Sequence, residues 1–255
     1  MNRRVQVICL PGGVAPASQR YASLAAATSG RADLHLKDLE VYRETIPPAD
    51  YSIDMELAAI DHFADSLGLD RFHLVGYSGG GFISLAYAGT RPARLLSLAL
   101  FEPAMVPGEP TSAEREATQA LETKLAGLTG PEFMAAFVRA QVKAGVELPA
   151  PPPPSAEMSK RPAGIATMLQ AFISYRADRE QLRRCTFPVF YGYGDQTVDV
   201  EGVRAAVLAQ LFSDIHVTRF PGVHHFVSAD RIYTEEHAQS LIDLWHRAEA
   251  NGVPA

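Results

Sequence analysis

One serine stands among glycines in the stretch Gly76-Tyr77-Ser78-Gly79-Gly80. An apolar run ends directly before it and a helical pattern begins directly after it, which is the setting of a nucleophile elbow. Such a strand-to-helix turn projects the intervening side chain outward, close to the free N–H groups of the helix start. A glycine-rich phosphate loop is the alternative, but no G-x-G-x-x-G pattern in register and no Lys-Ser/Thr pair accompanies the serine. We therefore expect Ser78 to act as a nucleophile.

A serine nucleophile needs a base to take its proton and an acid to orient that base. Both residue types follow strand-like runs further along the chain: Asp195 comes directly after "PVFYGYG", and His225 lies in "PGVHHF" after the last run. Open α/β sheets build their sites beyond the carboxyl ends of their strands. We therefore expect Ser78, Asp195 and His225 to meet at one edge of a sheet.

Two other carboxylates and a second histidine compete for these roles. Glu102 follows the apolar run of residues 95–101, and it stays open as the acid because catalytic triads are defined by geometry rather than by position. Asp199 is better explained as the cap of a helix through Val203 and Leu208. His224 is interpreted as a neighbour of the base, since only one imidazole can serve the serine.

The elements that must position these residues alternate between strands and helices, which predicts a mostly parallel sheet with crossover helices. Six apolar runs predict its strands: Val5–Leu10, Leu34–Leu39, Phe72–Tyr77, Leu95–Phe101, Pro188–Tyr193 and Ile215–Phe220. A helix capped by Ser52 and ended by Gly68 fits between the second and third runs. A second helix begins directly after Ser78 and reaches Gly89, and the last spans about residues 233–248.

The stretch from residue 102 to residue 187 is too long for a single crossover and carries several helical patterns. Thr111-x-x-Glu114 is a possible capping box, Pro131 can begin a second helix, and a third contains Met168 and Phe172. A proline-rich spacer, "PAPPPPS", precedes this third helix. We expect residues 1–104 and 185–255 to form a core domain, and residues 105–184 to form an inserted helical cap over a pocket.

These motifs, in the order Ser, Asp, His, resemble the α/β-hydrolase fold family over nearly the whole chain outside the cap. The resemblance implies Ser78 as nucleophile, Asp195 as orienting acid and His225 as base, the last because Pro-Gly-x-x-His-Phe is the family's pattern. It also implies an oxyanion hole formed by the backbone N–H of Gly79 and that of Gly13 or Val14. Some members carry their acid after the earlier strand, where Glu102 stands here.

Two departures from the family pattern are visible near the N-terminus. Pro11-Gly12 stands where most members have His-Gly, and the strand leading to this turn begins almost at residue 4, so the sheet is shortened. The short sheet, the "PGG" turn and the "GVHHF" loop resemble type II thioesterases of polyketide and peptide assembly lines.

Composition excludes several classes of protein. The chain of 255 residues has 47% hydrophobic and 20% charged residues, as in globular proteins, and its net charge of -6 without a basic stripe disfavours nucleic-acid and anionic-lipid partners. No apolar run approaches the roughly 18 residues of a membrane span, and the run at Val5–Leu10 is short for a secretory signal. Cys9 and Cys185 are expected to pack as free thiols. We expect a cytoplasmic protein; the oligomeric state stays open.

The predicted function is hydrolysis of a carboxylic ester, thioester or lactone through an acyl-enzyme, without a metal or an organic cofactor. The expected partner is a small-molecule acyl substrate. Candidate substrate-binding side chains are Tyr77, Phe137, Met168 and Phe172. A lyase or carbon–carbon bond hydrolase on the same fold is the first alternative, and a non-catalytic small-molecule receptor is the second.

Overall fold

Six strands form one fully parallel sheet in the order β2-β1-β3-β4-β5-β6. The computed structural model describes residues 4–151, 153–226 and 235–252. The strands are β1 Val5–Leu10, β2 Ala32–Leu36, β3 Phe72–Tyr77, β4 Leu95–Phe101, β5 Val189–Gly194 and β6 Ile215–Phe220. All six predicted runs form strands, and the expectation of a mostly parallel sheet is confirmed.

Strand β2 is displaced from its predicted range of 34–39. It pairs with β1 from Val5 opposite Ala32 to Cys9 opposite Leu36. After β2 the Asp38 side chain turns toward the helix that follows β1 and accepts a hydrogen bond from the Ala17 N–H at 2.7 Å. The chain therefore leaves the sheet before Leu39, whose side chain is instead buried in the core.

Helices cover both faces of the sheet, as a parallel sheet requires. In chain order they are α1 Ala17–Arg20, α2 Ala22–Ala27, α3 Ile53–Ser66, α4 Gly79–Thr90, α5 Ser112–Leu125, α6 Gly130–Ala140, α7 Ala156–Ser159, α8 Arg161–Ser174, α9 Arg179–Arg183, α10 Val200–Leu211 and α11 Glu235–Gly252. One apolar core joins a face of the sheet to α3, α4 and α10, and a second joins the other face to α1, α2 and α11.

Local signals in the sequence begin and end these helices as predicted. The Ser52 hydroxyl caps α3 by accepting a hydrogen bond from the Met55 N–H, and α4 starts directly after Ser78. The predicted start of the last helix near Tyr233 lies outside the described residues, which resume at Glu235.

Five helices, α5 to α9, lie between β4 and β5, where the sequence predicts an insertion. The capping box at Thr111 and Glu114 is present with both of its hydrogen bonds. Helices α5, α6 and α8, called the roof helices below, share an apolar cluster built on Leu125, Phe133, Phe137 and Ile165. The division into a core domain and a cap at residues 105–184 stays a prediction.

Two observations bear on the expectations drawn from composition. Within the described residues, no helix is long and apolar enough to cross a membrane. Cys9 and Cys185 are both free and buried, and burial raises the pKa of the Cys185 thiol to about 11. Packing is therefore the role of these two side chains in the fold.

Candidate active site

Ser78 lies at the turn between β3 and α4 in a strained backbone conformation, with φ 54° and ψ -117°. Positive φ in a residue other than glycine costs on the order of 1–3 kcal/mol, so the surrounding structure must hold it. The Ser78 N–H donates to the Phe101 carbonyl at 3.0 Å. A Cβ on Gly76 would lie 2.7 Å from the Gly80 carbonyl oxygen, and one on Gly80 would lie 2.4 Å from that of Pro11. Both glycines are therefore required by close packing of the backbone.

His225 lies beside Ser78, with its Nε2 atom 3.1 Å from the serine Oγ. The two side chains are almost fully enclosed, at 3% exposure for His225 and 7% for Ser78. Tyr77 supports the histidine from below: its ring stacks on the imidazole at 5.0 Å, and its hydroxyl donates to the His225 carbonyl at 2.5 Å. The structure thus brings together the expected nucleophile and base.

Glu102 is the carboxylate that contacts the histidine. Its Oε2 atom lies 2.5 Å from His225 Nδ1, and its Oε1 atom accepts from the Gly194 N–H and the Thr197 hydroxyl, both at 2.6 Å. Burial acts to raise the pKa of Glu102, but the hydrogen bond and charge of His225, with the donors of Gly194 and Thr197, bring that pKa below its usual range. Glu102 is therefore held as a carboxylate against the imidazole.

The prediction that the Asp195 side chain contacts His225 is wrong. Glu102 has a left-handed backbone, with φ 46°, and its side chain reaches His225 Nδ1. Asp195 instead accepts the Gly222 N–H through its Oδ1 atom at 2.8 Å. Since Nδ1 carries a single proton, the position that Asp195 was expected to fill is taken.

Thr197 is a site residue that the sequence reasoning missed, because nothing in "GDQTVD" separates it from an ordinary loop threonine. Its segment is fixed from outside by the chain that follows α6. The Lys143 N–H donates to the Gln196 carbonyl at 3.0 Å, and the Val198 N–H donates to the Gln141 carbonyl at 3.3 Å. These bonds flank a β-bridge between Val142 and Thr197.

The two remaining candidates stand apart from the catalytic contacts. Asp199 occupies the position before α10, as predicted, but its side chain makes no capping hydrogen bond and pairs with Lys143 at 2.9 Å. His224 accepts the Phe226 N–H through Nδ1 at 3.2 Å. The structure thus agrees with His224 being a neighbour of the base.

A buried ion pair lies near the acid, between Glu201 and Arg204 of α10. The Tyr191 hydroxyl donates to Glu201 Oε2 at 2.7 Å. Burial raises the pKa of Glu201, an effect that the Arg204 guanidinium opposes and the charge of Glu102 reinforces. Arg204 thus balances a second carboxylate close to the one that contacts His225.

A cavity of about 590 Å³ opens above Ser78. Ser78, Gly79 and Gly13 lie at its floor, and side chains of the roof helices, Phe137, Met168 and Phe172 among them, line its walls. Tyr77, expected as a fourth substrate contact, is not among the described residues that line the cavity. Its ring lies against His225, and its contact with substrate stays a prediction.

Two of the three residues expected at the oxyanion hole, Gly79 and Gly13, line this cavity. Gly79 is the first residue of α4, and no atom in the described part of the chain accepts its N–H. The Gly80 N–H donates to the Pro11 carbonyl at 3.0 Å, which joins the turn after β1 to the elbow. Gly13 lines the cavity, whereas the Val14 side chain packs against the roof-helix cluster. The role of Gly13 or Val14 as the second donor stays a prediction.

The fold and the geometry of this site define a class. Residues 7–231 match the model of the alpha/beta hydrolase fold, and the chain belongs to that family. It is 28% identical over 200 residues to a monoacylglycerol lipase of Mycolicibacterium smegmatis, which covers 78% of this chain and 67% of the lipase.

Solved structures share the same architecture. A carboxylesterase from Bacillus subtilis superposes with a TM-score of 0.64 at 18% identity, over 99% of this chain and 86% of that one. A meta-cleavage product hydrolase from Pseudomonas fluorescens superposes with a TM-score of 0.65 at 16% identity, over 96% and 91%. At these identities the likeness concerns the fold.

Proposed function

We propose that the protein is a serine hydrolase that cleaves carboxylic esters with an apolar acyl group, through an acyl-enzyme. The observation that carries the proposal is the continuous hydrogen-bonded series from Ser78 to His225 to Glu102 at the floor of an apolar cavity. Glu102 takes the acid role that the sequence reasoning gave to Asp195. The lipase and the esterase among the similar proteins favour ester bonds.

The first half of the reaction forms the acyl-enzyme. Ser78 Oγ attacks the ester carbonyl carbon while His225 Nε2 takes the hydroxyl proton, and Glu102 stabilises the resulting imidazolium. The tetrahedral oxyanion accepts hydrogen bonds from the Gly79 N–H and from an N–H of the Gly13–Val14 segment. The carbon–oxygen bond to the alcohol then breaks, and the imidazolium returns its proton to the departing alkoxide.

The second half releases the acid by the same steps in reverse. His225 takes a proton from a water molecule, whose oxygen attacks the acyl carbon, and the serine leaves with the proton from the imidazolium. Thioesters and lactones present the same acyl carbonyl, so they belong in the same test as esters.

The cavity supports the choice of an apolar acyl group. Its volume of about 590 Å³ lies in the range of small-molecule sites, and Phe137, Met168 and Phe172 give it aromatic and thioether walls. Burying a methylene group against such walls stabilises binding by about 0.8 kcal/mol. We therefore expect kcat/KM to rise with acyl length until the chain fills the space under the roof helices.

The test is hydrolysis of p-nitrophenyl esters of increasing acyl length, beside acyl thioesters and lactones, by the wild type and by Ser78→Ala. Removing the nucleophile is expected to lower kcat by about 10⁶-fold while the fold is retained. A fluorophosphonate probe should label Ser78, as located by peptide mass spectrometry. Ser66→Ala, at an exposed serine closing α3, is the matched control and should behave as the wild type. Full ester hydrolysis by Ser78→Ala would contradict the proposal.

A further inference from the structure

Asp195 is a motif residue that the proposed catalytic series leaves unused. It follows β5 directly, at the carboxyl edge of the sheet, and its side chain contacts the turn that leads to His225. An acidic side chain at this place needs a reason other than holding the imidazole, because Glu102 already fills that role.

Three hydrogen bonds join the segment of Asp195 to the turn after β6. The Asp195 N–H donates to the Phe220 carbonyl at 3.0 Å, and the Gln196 N–H donates to the Val223 carbonyl at 2.9 Å. Between them, Asp195 Oδ1 accepts the Gly222 N–H at 2.8 Å. The side-chain bond thus closes a gap between two backbone bonds.

The turn it contacts is tightly constrained. Gly222 has φ +66°, a left-handed conformation that glycine adopts most readily, and it lies three residues before His225. A Cβ on Gly194 would lie 2.1 Å from the Val223 carbonyl oxygen, so the two segments touch through their backbones. An N–H bonded to a charged acceptor is held more firmly than one bonded to a neutral acceptor.

We propose that Asp195 is a positioning residue for the base: its carboxylate fixes the Gly222 turn, and the turn sets His225 Nε2 at its 3.1 Å distance from Ser78 Oγ. The proposal rests on the proposed function, since it assigns a purpose to the placement of His225. The two carboxylates then have different roles: Glu102 orients the imidazole, and Asp195 holds the backbone turn that precedes His225.

Conservative substitutions separate these two tasks. Asp195→Asn keeps an oxygen that can accept the Gly222 N–H, so its kcat is expected to stay within about threefold of the wild type. Asp195→Ala removes the acceptor, and kcat should fall roughly 10- to 100-fold with little change in KM, because a displacement of about 1 Å has this effect. In Glu102→Gln, kcat should fall by about 10⁴-fold, as expected when the orienting carboxylate is neutralised.

A spectroscopic measurement reports the placement of the imidazole against Glu102 without any substrate. The proton between His225 Nδ1 and Glu102 should give a downfield proton NMR resonance, retained in Asp195→Asn and lost in Glu102→Gln. Should Asp195→Ala fail to fold by circular dichroism, Asp195→Ser is the milder truncation. Asp199→Asn, at an exposed carboxylate four residues on, is the control and should match the wild type.

Two results would overturn the inference. A loss in Asp195→Asn as large as that in Glu102→Gln would make Asp195 the acid itself. Unchanged kcat in the truncated variant, with the downfield resonance intact, would show that the contact with Gly222 positions nothing. Failure of the proposed function has a different signature: Ser78→Ala would then hydrolyse esters as the wild type does, or the wild type would hydrolyse none, while the resonance would still report the placement of His225.

Discussion

Thr197→Val probes the hydrogen bonds that hold Glu102. The Thr197 side chain is 2% exposed, and its hydroxyl donates to Glu102 Oε1 at 2.6 Å, beside the Gly194 N–H at the same distance. Valine keeps the branched shape and removes the donor, so the carboxylate retains one of its two bonds at Oε1.

The magnitude follows from the charge of the acceptor. A hydrogen bond to a charged group contributes about 1.5–3 kcal/mol to stability, and Glu102 is buried, so water cannot replace the lost donor. In a chain of this size about 1 kcal/mol lowers Tm by roughly 2 °C, so we expect a fall of roughly 3–6 °C at pH 7. We also expect a fall in kcat of up to about tenfold, because a single remaining donor orients the carboxylate less firmly.

The loss of stability in Thr197→Val should depend on pH. The folded-state pKa of Glu102 is lowered, so its ionisation stabilises the fold above the unfolded carboxyl pKa of about 4.3, and this contribution is lost as the pH falls through the folded pKa. In Thr197→Val the pKa is lowered less, and the stability difference from the wild type should therefore narrow toward acid pH.

Thermal unfolding at a series of pH values from 7 down to about 3, beside ester hydrolysis at pH 7, measures both effects. Thr197→Ser keeps the hydroxyl and should lose less stability and less activity than Thr197→Val. Equal stability of Thr197→Val and the wild type at pH 7 would refute the reasoning, as would equal losses in the valine and serine variants.

Further predictions concern the elbow and the support of the base. Gly80→Ala places a Cβ 2.4 Å from the Pro11 carbonyl oxygen and should lower both Tm and fluorophosphonate labelling. The control is Gly202→Ala in α10, where the added Cβ meets open space, and it should raise the free energy of unfolding by roughly 0.5–1 kcal/mol. Equal Tm values for the two variants would contradict this. Tyr77→Phe removes the donor to the His225 carbonyl, so unfolding in urea should show a loss of about 0.5–1.5 kcal/mol, and an unchanged midpoint would argue against that bond.

Much of the architecture can be predicted from the sequence because its signals are local. The central strands β1, β3, β4 and β5 are almost wholly buried and form continuous apolar runs, whereas the edge strands β2 and β6 are more exposed and carry polar residues. All six strands match predicted runs, with the ends of β2 displaced. The short helices α1 and α2 escaped prediction, because four- and six-residue helices show too little periodicity. The residues after β2 make a tertiary contact, from the Ala17 N–H to Asp38, that local sequence signals do not reveal.

The candidate site shows the same division between local and distant information. The elbow at Ser78 and the histidine loop are specified by short motifs, and the structure brings their side chains together. The choice between Glu102 and Asp195 depends on the direction of each side chain at the sheet edge: Glu102 reaches His225 Nδ1, and Asp195 reaches the Gly222 N–H. The spacing of residues along the chain does not specify these side-chain directions. It also does not reveal that the Thr197 hydroxyl donates to Glu102.

The two hydrogen bonds between residues 141–143 and residues 196–198 bear on how this protein could be re-engineered. Exchanging the segment between β4 and β5 for that of a relative is an obvious route to a new substrate preference. In this chain the exchanged segment would include residues 141–143, which form the β-bridge and hydrogen bonds to the segment of Thr197. The Thr197 hydroxyl in turn donates to Glu102. A chimera could therefore keep every catalytic side chain and still turn over slowly, so graft boundaries should leave residues 141–143 in place or redesign both partners together.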